Sequence, residues 1–310
     1  MPFRRIVAVP FPVRRAAGLA FLALLTGGAP APTVPPSDSR PKGSLVIVGG
    51  GERSGAMMRR FVELAGGSGR ARIAVVPMAS EEAPESGAET ASELDSLGAQ
   101  AFVFLVDRAQ ADAPEFVRRL DSATGIWFCG GDQARLTDVI GGTASLRAIQ
   151  ARYQDGAVVG GTSAGAAIMS DSMITGDQTP PGDSTGYYGD EYPSIERHRI
   201  EVLHGLGFLH GAIVDQHFLK RERHNRLLSA VLERPSLVGV GIDESTAIEV
   251  SPDGRWHVLG ESDVIVYDAR HARVTAAGAP LLGATDIRVH LLPSGSIYDL
   301  ASGRAGLPAR

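Results

Sequence analysis

Val158-Val159-Gly160-Gly161-Thr162-Ser163-Ala164-Gly165-Ala166-Ala167 is the stretch on which the fold turns. Two β-branched residues lead into a glycine pair, then a serine, then small residues able to start a helix. Residues 161–165 fit Gly-x-Ser-x-Gly, in which a strand turns sharply into a helix and holds the serine hydroxyl at the apex. Glycines two before and two after the serine let neighbouring backbones pass closely. A helix start also offers free N–H groups and the positive end of a dipole to a developing oxyanion. Ser163 is therefore the candidate nucleophile.

Upstream, strands and helices alternate. Leu45-Val46-Ile47-Val48, Ile73 to Val76, Ala101 to Val106 and Ile126 to Cys129 are short continuous apolar runs, as expected of strands buried on both faces. Helical patterns occupy Gly55 to Ala65, Glu85 to Leu97, Ala113 to Leu120 and Leu146 to Tyr153. The alternation predicts an α/β fold, a mostly parallel, doubly wound sheet flanked by helices. Ligands of such sheets bind beyond the carboxyl ends of the strands. Gly49-Gly50-Gly51, Gly130-Gly131-Asp132 and Gly160-Gly161 all lie at that edge, so they are expected to converge on one site. The pattern breaks between Thr179 and Ile200, where Pro, Gly, Asp and Ser dominate. It resumes at Ala212-Ile213-Val214-Asp215-Gln216-His217, with a helix expected from Leu219 to Leu232 and a β-rich C-terminal part after Leu237.

Composition sets the outer bounds. The 310 residues are 44% hydrophobic and 21% charged, enough apolar surface for one large domain. A net charge of -5 supplies no basic stripe for nucleic acid. The one cysteine, Cys129, sits in an apolar strand and excludes both an internal disulfide and a Cys-built zinc site. The glycines at 49–51 lack the Gly-x-Gly-x-x-Gly spacing of a dinucleotide loop, because Arg53 and Ser54 fill the later places. No metal motif of the His-Glu-x-x-His kind occurs, so neither metal nor organic cofactor is expected. Arg4, Arg5, Arg14 and Arg15 precede an apolar run from Ala16 to Leu25 and then Ala29-Pro30-Ala31. This is the pattern of an export signal, too short to span a membrane. Pro32 makes a cut after Ala31 a poor one. The expected organisation is a signal peptide over 1–31, a Pro/Ser-rich linker over 32–43 and a single α/β domain over 44–310. The product would be periplasmic or extracellular, without stable membrane association once the signal is cut.

A nucleophilic serine needs a base and an acid to orient it. His217 ends a strand-like run, which puts it at the same edge as Ser163; the other histidines fall in loops, polar helix faces or the C-terminal β region. Asp177, Asp183, Asp190, Glu191 and Glu196 all lie between Ser163 and His217, and spacing does not choose among them. Backbone N–H groups near Gly131 and Ala164 are placed to form an oxyanion hole. Arg221, Arg223 and Arg226 on the following helix suit a substrate carboxylate.

Taken in order, Gly130-Gly131-Asp132-Gln133, Gly160 to Ala167, Leu206-Gly207-Phe208-Leu209, Asp215-Gln216-His217-Phe218 with Arg221, Arg223 and Arg226, and Gly241-Ile242-Asp243-Glu244-Ser245-Thr246-Ala247 resemble the cyanophycinase and dipeptidase E family of serine peptidases, from about Ser44 to Val250. The Asp-Gln-His run favours the cyanophycinase branch. The resemblance implies Ser163 and His217 as catalytic residues. It implies Gly131, Asp132, Gln133, Ala164, Asp215, Gln216, Arg223 and Arg226 as oxyanion or substrate-binding residues. An acidic residue such as Asp215 would suit a substrate guanidinium or amine. The family's acid is expected shortly before a proline, which selects Glu191, with Asp177 second. The implied substrate is cyanophycin or a related peptide, cut at β-aspartyl-arginine units. The alternatives are an aspartyl or isoaspartyl dipeptidase, or an inactive binding protein on the same fold. A homodimer is the expected assembly. Residues 182–192 lengthen the segment between Ser163 and His217 relative to the family.

Overall fold

The computed structural model describes residues 40–178, 192–279 and 281–309, all within one compact unit that spans 39–310. The expected signal peptide, linker residues 32–39, Asp183, Asp190 and Glu191 lie outside the described residues.

A nine-stranded sheet forms the centre. Leu45–Val48 lies in its middle, followed on one side by Val158–Thr162, Gly125–Phe128, Arg72–Val76 and Gln100–Val103, all parallel. On its other side Thr246–Val250, Arg255–Gly260, Ile297–Asp299 and Arg304–Gly306 extend the sheet antiparallel. The apolar runs are strands because both faces are covered. Leu45 and Ile47 join the core on one face, while Val46 and Val48 join the cluster on the other. The two-residue alternation of a strand sends successive side chains to opposite layers. The α/β class is that expected from sequence, and the β-rich C-terminal part divides between this sheet and others.

A second sheet carries part of the site. Ala212–Gln216 pairs parallel with Val238–Ile242, which is followed by Val264–Asp268 and Arg288–Leu292. Helix His224–Glu233 connects the parallel pair and packs Leu227 and Val231 against Gly239. Gln216 is level with Ile242, so the chain leaves both strands at the same edge.

Local sequence explains most element ends. Asp132 caps helix Gln133–Ile140 by accepting from the N–H groups of Ala134 and Arg135 at 2.8 and 3.2 Å. Thr143 caps helix Ala144–Asp155 through Leu146 N–H, and Gly156 closes it in the left-handed region. Two expectations change. The helix expected over 113–120 is one α-turn, Pro114–Val117, continued as a 3-10 turn over Arg118–Leu120. The helix expected from Leu219 begins only at His224. The Asp243 carboxylate captures the N–H groups of Leu219 and Lys220, and Glu222 sits at φ 51°, so residues 219–223 form turns.

Candidate active site

Ser163 follows the strand Val158–Thr162 directly and has φ 53° and ψ -110°. That backbone state is costly for a residue with a Cβ and persists where the surroundings over-determine it. The close packing is explicit. A Cβ at Gly161 would meet the Gly165 carbonyl, and one at Gly165 would collide with the Phe128 carbonyl. The expected helix after the serine is a single turn, Ala164–Ala167, so its dipole adds little. The individual N–H groups matter instead. Neither Ala164 N–H nor Gly131 N–H donates to a backbone carbonyl among the described residues. The Gly130 backbone runs beside the nucleophile: a Cβ there would stand 3.5 Å from Ser163 Cβ.

The Ser163 hydroxyl lies 2.8 Å from His217 Nε2. His217 Nδ1 lies 2.7 Å from a carboxylate oxygen of Glu244. With the ring neutral, Nδ1–H donates to Glu244 and Nε2 accepts from the serine. The ring is largely buried, and Glu244 is partly exposed. Burial pushes the His217 pKa below its ordinary value; the hydrogen bond to Glu244 opposes this, and the nearby cations Arg221 and Arg223 add to it.

Three consecutive carbonyls of the central strand's end hold this relay. Val48 accepts from Ser163 N–H at 3.0 Å, Gly49 from His217 N–H at 2.7 Å, and Gly50 from Ser245 N–H at 2.9 Å. Ser163, His217 and Ser245 all carry positive φ, at 53°, 48° and 53°. The glycine run at 49–51 thus has a physical purpose. Gly50, at φ 119°, lies against the imidazole face, where a Cβ would come within 2.8 Å of Cε1, Nε2 and Nδ1. The expected convergence of glycine-rich strand ends is what brings Ser163 and His217 together.

The expected acid requires correction. Sequence points to Glu191, with Asp177 second. Glu191 lies outside the described residues, Asp177 falls in strand Ser172–Gln178, and Glu196 faces Arg199 at 3.6 Å. The Nδ1 position is held by Glu244, immediately after the strand Val238–Ile242. One signal was available: the apolar run Val238-Gly239-Val240-Gly241-Ile242 ends in Asp243-Glu244, two carboxylates at another strand end.

The remaining candidates divide by occupation. Asp132 is committed to its helix cap. Gln133 is buried and its amide donates to the carbonyls of Ile174, at 3.0 Å, and Thr175, pinning strand Ser172–Gln178. Asp215 is fully buried and paired side-on with the equally buried Arg226, 2.9 Å from its Nε and in contact with its Nη2. Its charge is therefore matched within the protein, which corrects the expectation that it would receive a substrate cation. Burial opposes the Arg226 charge, but Asp215 outweighs it and raises the pKa. Tyr192 covers the pair, its ring 5.2 Å from the guanidinium and its hydroxyl donating to the Gly176 carbonyl at 2.7 Å. Arg223 differs. Its Nη1 donates to the Gln216 carbonyl at 2.8 Å and to the Gln216 side chain at 2.5 Å, while its buried Nε has no hydrogen-bond partner. Burial, with Arg226 alongside, pushes its pKa down to about 10.

Removing Arg226 leaves the buried Asp215 carboxylate with only the more distant Arg223, 3.9 Å away. Arg226→Ala should lower unfolding free energy by about 3–5 kcal/mol, measured by urea denaturation. A loss under ~1 kcal/mol, the worth of an exposed pair, would contradict this account.

A serine, an imidazole and a carboxylate joined in series at a strained strand-to-helix turn define a serine hydrolase by fold and site. Residues 45–257 match the model of Peptidase family S51, and the chain belongs to that family of serine-type peptidases. A cyanophycinase of Synechococcus elongatus is 34% identical over 270 residues, covering 84% of this chain and 80% of that protein. One of Nostoc sp. is 32% identical over 280 residues, covering 86% and 89%. Among solved structures, a peptidase from an acI-B1 Actinobacterium matches 78% of this chain and 98% of its own, with a TM-score of 0.57 and 25% identity.

Proposed function

We propose that this peptidase hydrolyses cyanophycin, or peptides derived from it, at their β-aspartyl-arginine units and releases dipeptides, through an acyl-enzyme on Ser163. The observation that carries the chemistry is the series of contacts Ser163–His217–Glu244 at 2.8 and 2.7 Å. The relatives named cyanophycinase support the substrate class. His217 Nε2 takes the serine proton as the oxygen attacks the carbonyl, then returns it to the leaving amine. Glu244 stabilises the imidazolium formed between these steps. The N–H groups of Ala164 and Gly131 bind the oxyanion. Arg223 offers its guanidinium to a substrate carboxylate. The export-signal pattern of residues 1–31 supports an activity outside the cytoplasm.

The test pairs a fluorophosphonate probe with purified cyanophycin as substrate and free aspartyl dipeptides as the comparison. Labelling lost in Ser163→Ala, with release of dipeptides from the polymer, is the expected result. Turnover of free aspartyl dipeptides alone would reassign the substrate, and absence of labelling would overturn the serine mechanism.

The same geometry sets a pH dependence. Protonated His217 cannot accept the serine proton, so kcat/KM falls as pH drops through its pKa. Because burial lowers that pKa, the acid limb should lie below the ordinary value of 6.5. A limb centred above pH 7 would contradict the assignment.

A further inference from the structure

Asp243 directly precedes the acid on His217, yet its carboxylate is engaged elsewhere. One oxygen accepts from the N–H groups of Leu219 and Lys220 at 3.0 and 2.9 Å, and the other accepts from the Ser262 hydroxyl at 2.7 Å. The side chain is nearly buried. Burial opposes its charge, but donation from Ser262 and from backbone N–H groups prevails and holds its pKa below the usual carboxylate value.

These bonds join two turns that must stay in register. The first leaves His217 at φ 48° and closes with Arg221 N–H on the His217 carbonyl at 2.9 Å. The second carries Glu244, followed by Ser245, also at positive φ. The hydrogen bond of the Glu244 carboxylate is to His217, so the backbone beneath it must set its aim. Ser262 reinforces that backbone from behind. Its N–H donates to Thr246 Oγ1 at 2.9 Å, and that hydroxyl donates to the Glu244 carbonyl at 3.1 Å.

We propose that Asp243 is a positioning residue for the hydrolysis: its carboxylate clamps the turn carrying His217 to the turn carrying Glu244, and so fixes the distance between imidazole and acid. The inference rests on Ser163 and His217 being the reacting pair. Misplacement by about 1 Å costs on the order of a hundredfold in such a relay, so the clamp acts on turnover rather than on substrate binding.

The experiment compares full-length Asp243→Asn and Ser262→Ala with the parent protein, below their melting temperatures. Three readouts are taken: the rate of fluorophosphonate labelling, kcat and KM on purified cyanophycin, and the acid limb of kcat/KM. Asp243→Asn should slow labelling and kcat by roughly tenfold or more with KM within about twofold. Ser262→Ala keeps the Asp243 charge and should shift kcat the same way by roughly threefold. In both, weaker engagement of Glu244 should move the acid limb to lower pH. The charged groups facing His217 are Glu244, Arg221 and Arg223, and both variants retain them. Lower melting temperatures with unchanged labelling, kcat and pH limb would overturn the proposal. If Asp243→Asn does not fold, an unchanged kcat in Ser262→Ala overturns it alone. Equal labelling of the parent protein and Ser163→Ala would instead remove the mechanism beneath it.

Discussion

Glu244→Gln should lower kcat by about a thousandfold to ten-thousandfold while leaving the fold and KM nearly unchanged. The amide preserves the shape of the carboxylate but not its charge. An amide that turns its NH2 toward Nδ1 forces the imidazole into the tautomer with its proton on Nε2, where it cannot accept from Ser163. An amide that turns its oxygen toward Nδ1 keeps the tautomer but gives up the negative charge that stabilises the imidazolium. The 2.7 Å contact in a site where the imidazole is largely buried makes both losses large, because charge interactions strengthen as water is excluded. Steady-state kinetics on purified cyanophycin is the measurement. Turnover within tenfold of the parent would return the acid to some other residue.

The second large effect is steric. Gly50→Ala should reduce kcat by about a hundredfold or more, although residue 50 takes no part in the chemistry. A methyl group at this position would come within 2.8 Å of Cε1, Nε2 and Nδ1 of His217. The ring cannot retreat freely, because the His217 backbone N–H is fixed to the Gly49 carbonyl and the ring's Nδ1 to Glu244. Displacement therefore lengthens the contact to Ser163. The residue's φ of 119° adds backbone strain of about 1–2 kcal/mol for any side chain, so a lower melting temperature should accompany the lost activity. Fluorophosphonate labelling below the variant's melting temperature separates the two, and an undiminished labelling rate would refute the steric account.

The parts of the site legible in the sequence are those that depend on neighbouring residues. The Gly-x-Ser-x-Gly turn at 161–165 announces Ser163, since only glycine allows the backbone approaches made at 161 and 165. Apolar runs mark the strands, and Asp215-Gln216-His217 marks a strand end. The acid was not legible in this way. It lies 27 residues beyond His217, past a helix and a further strand, outside the segment between Ser163 and His217 that holds the candidate carboxylates. The role of Asp215 was hidden for the same reason. Its type suits a substrate cation, and only the arrival of Arg226 one helix later matches its charge internally.

The parallel core, the strained turn at Ser163 and the strand end at His217 follow from hydrophobic periodicity and glycine sterics, which act over a few residues. The tertiary structure alone decided which carboxylate meets His217. That choice follows from the parallel register that sets Gln216 level with Ile242, and from three carbonyls of the central strand that bind one turn each. Register between strands is a property of the packed sheets, which no short stretch of chain contains.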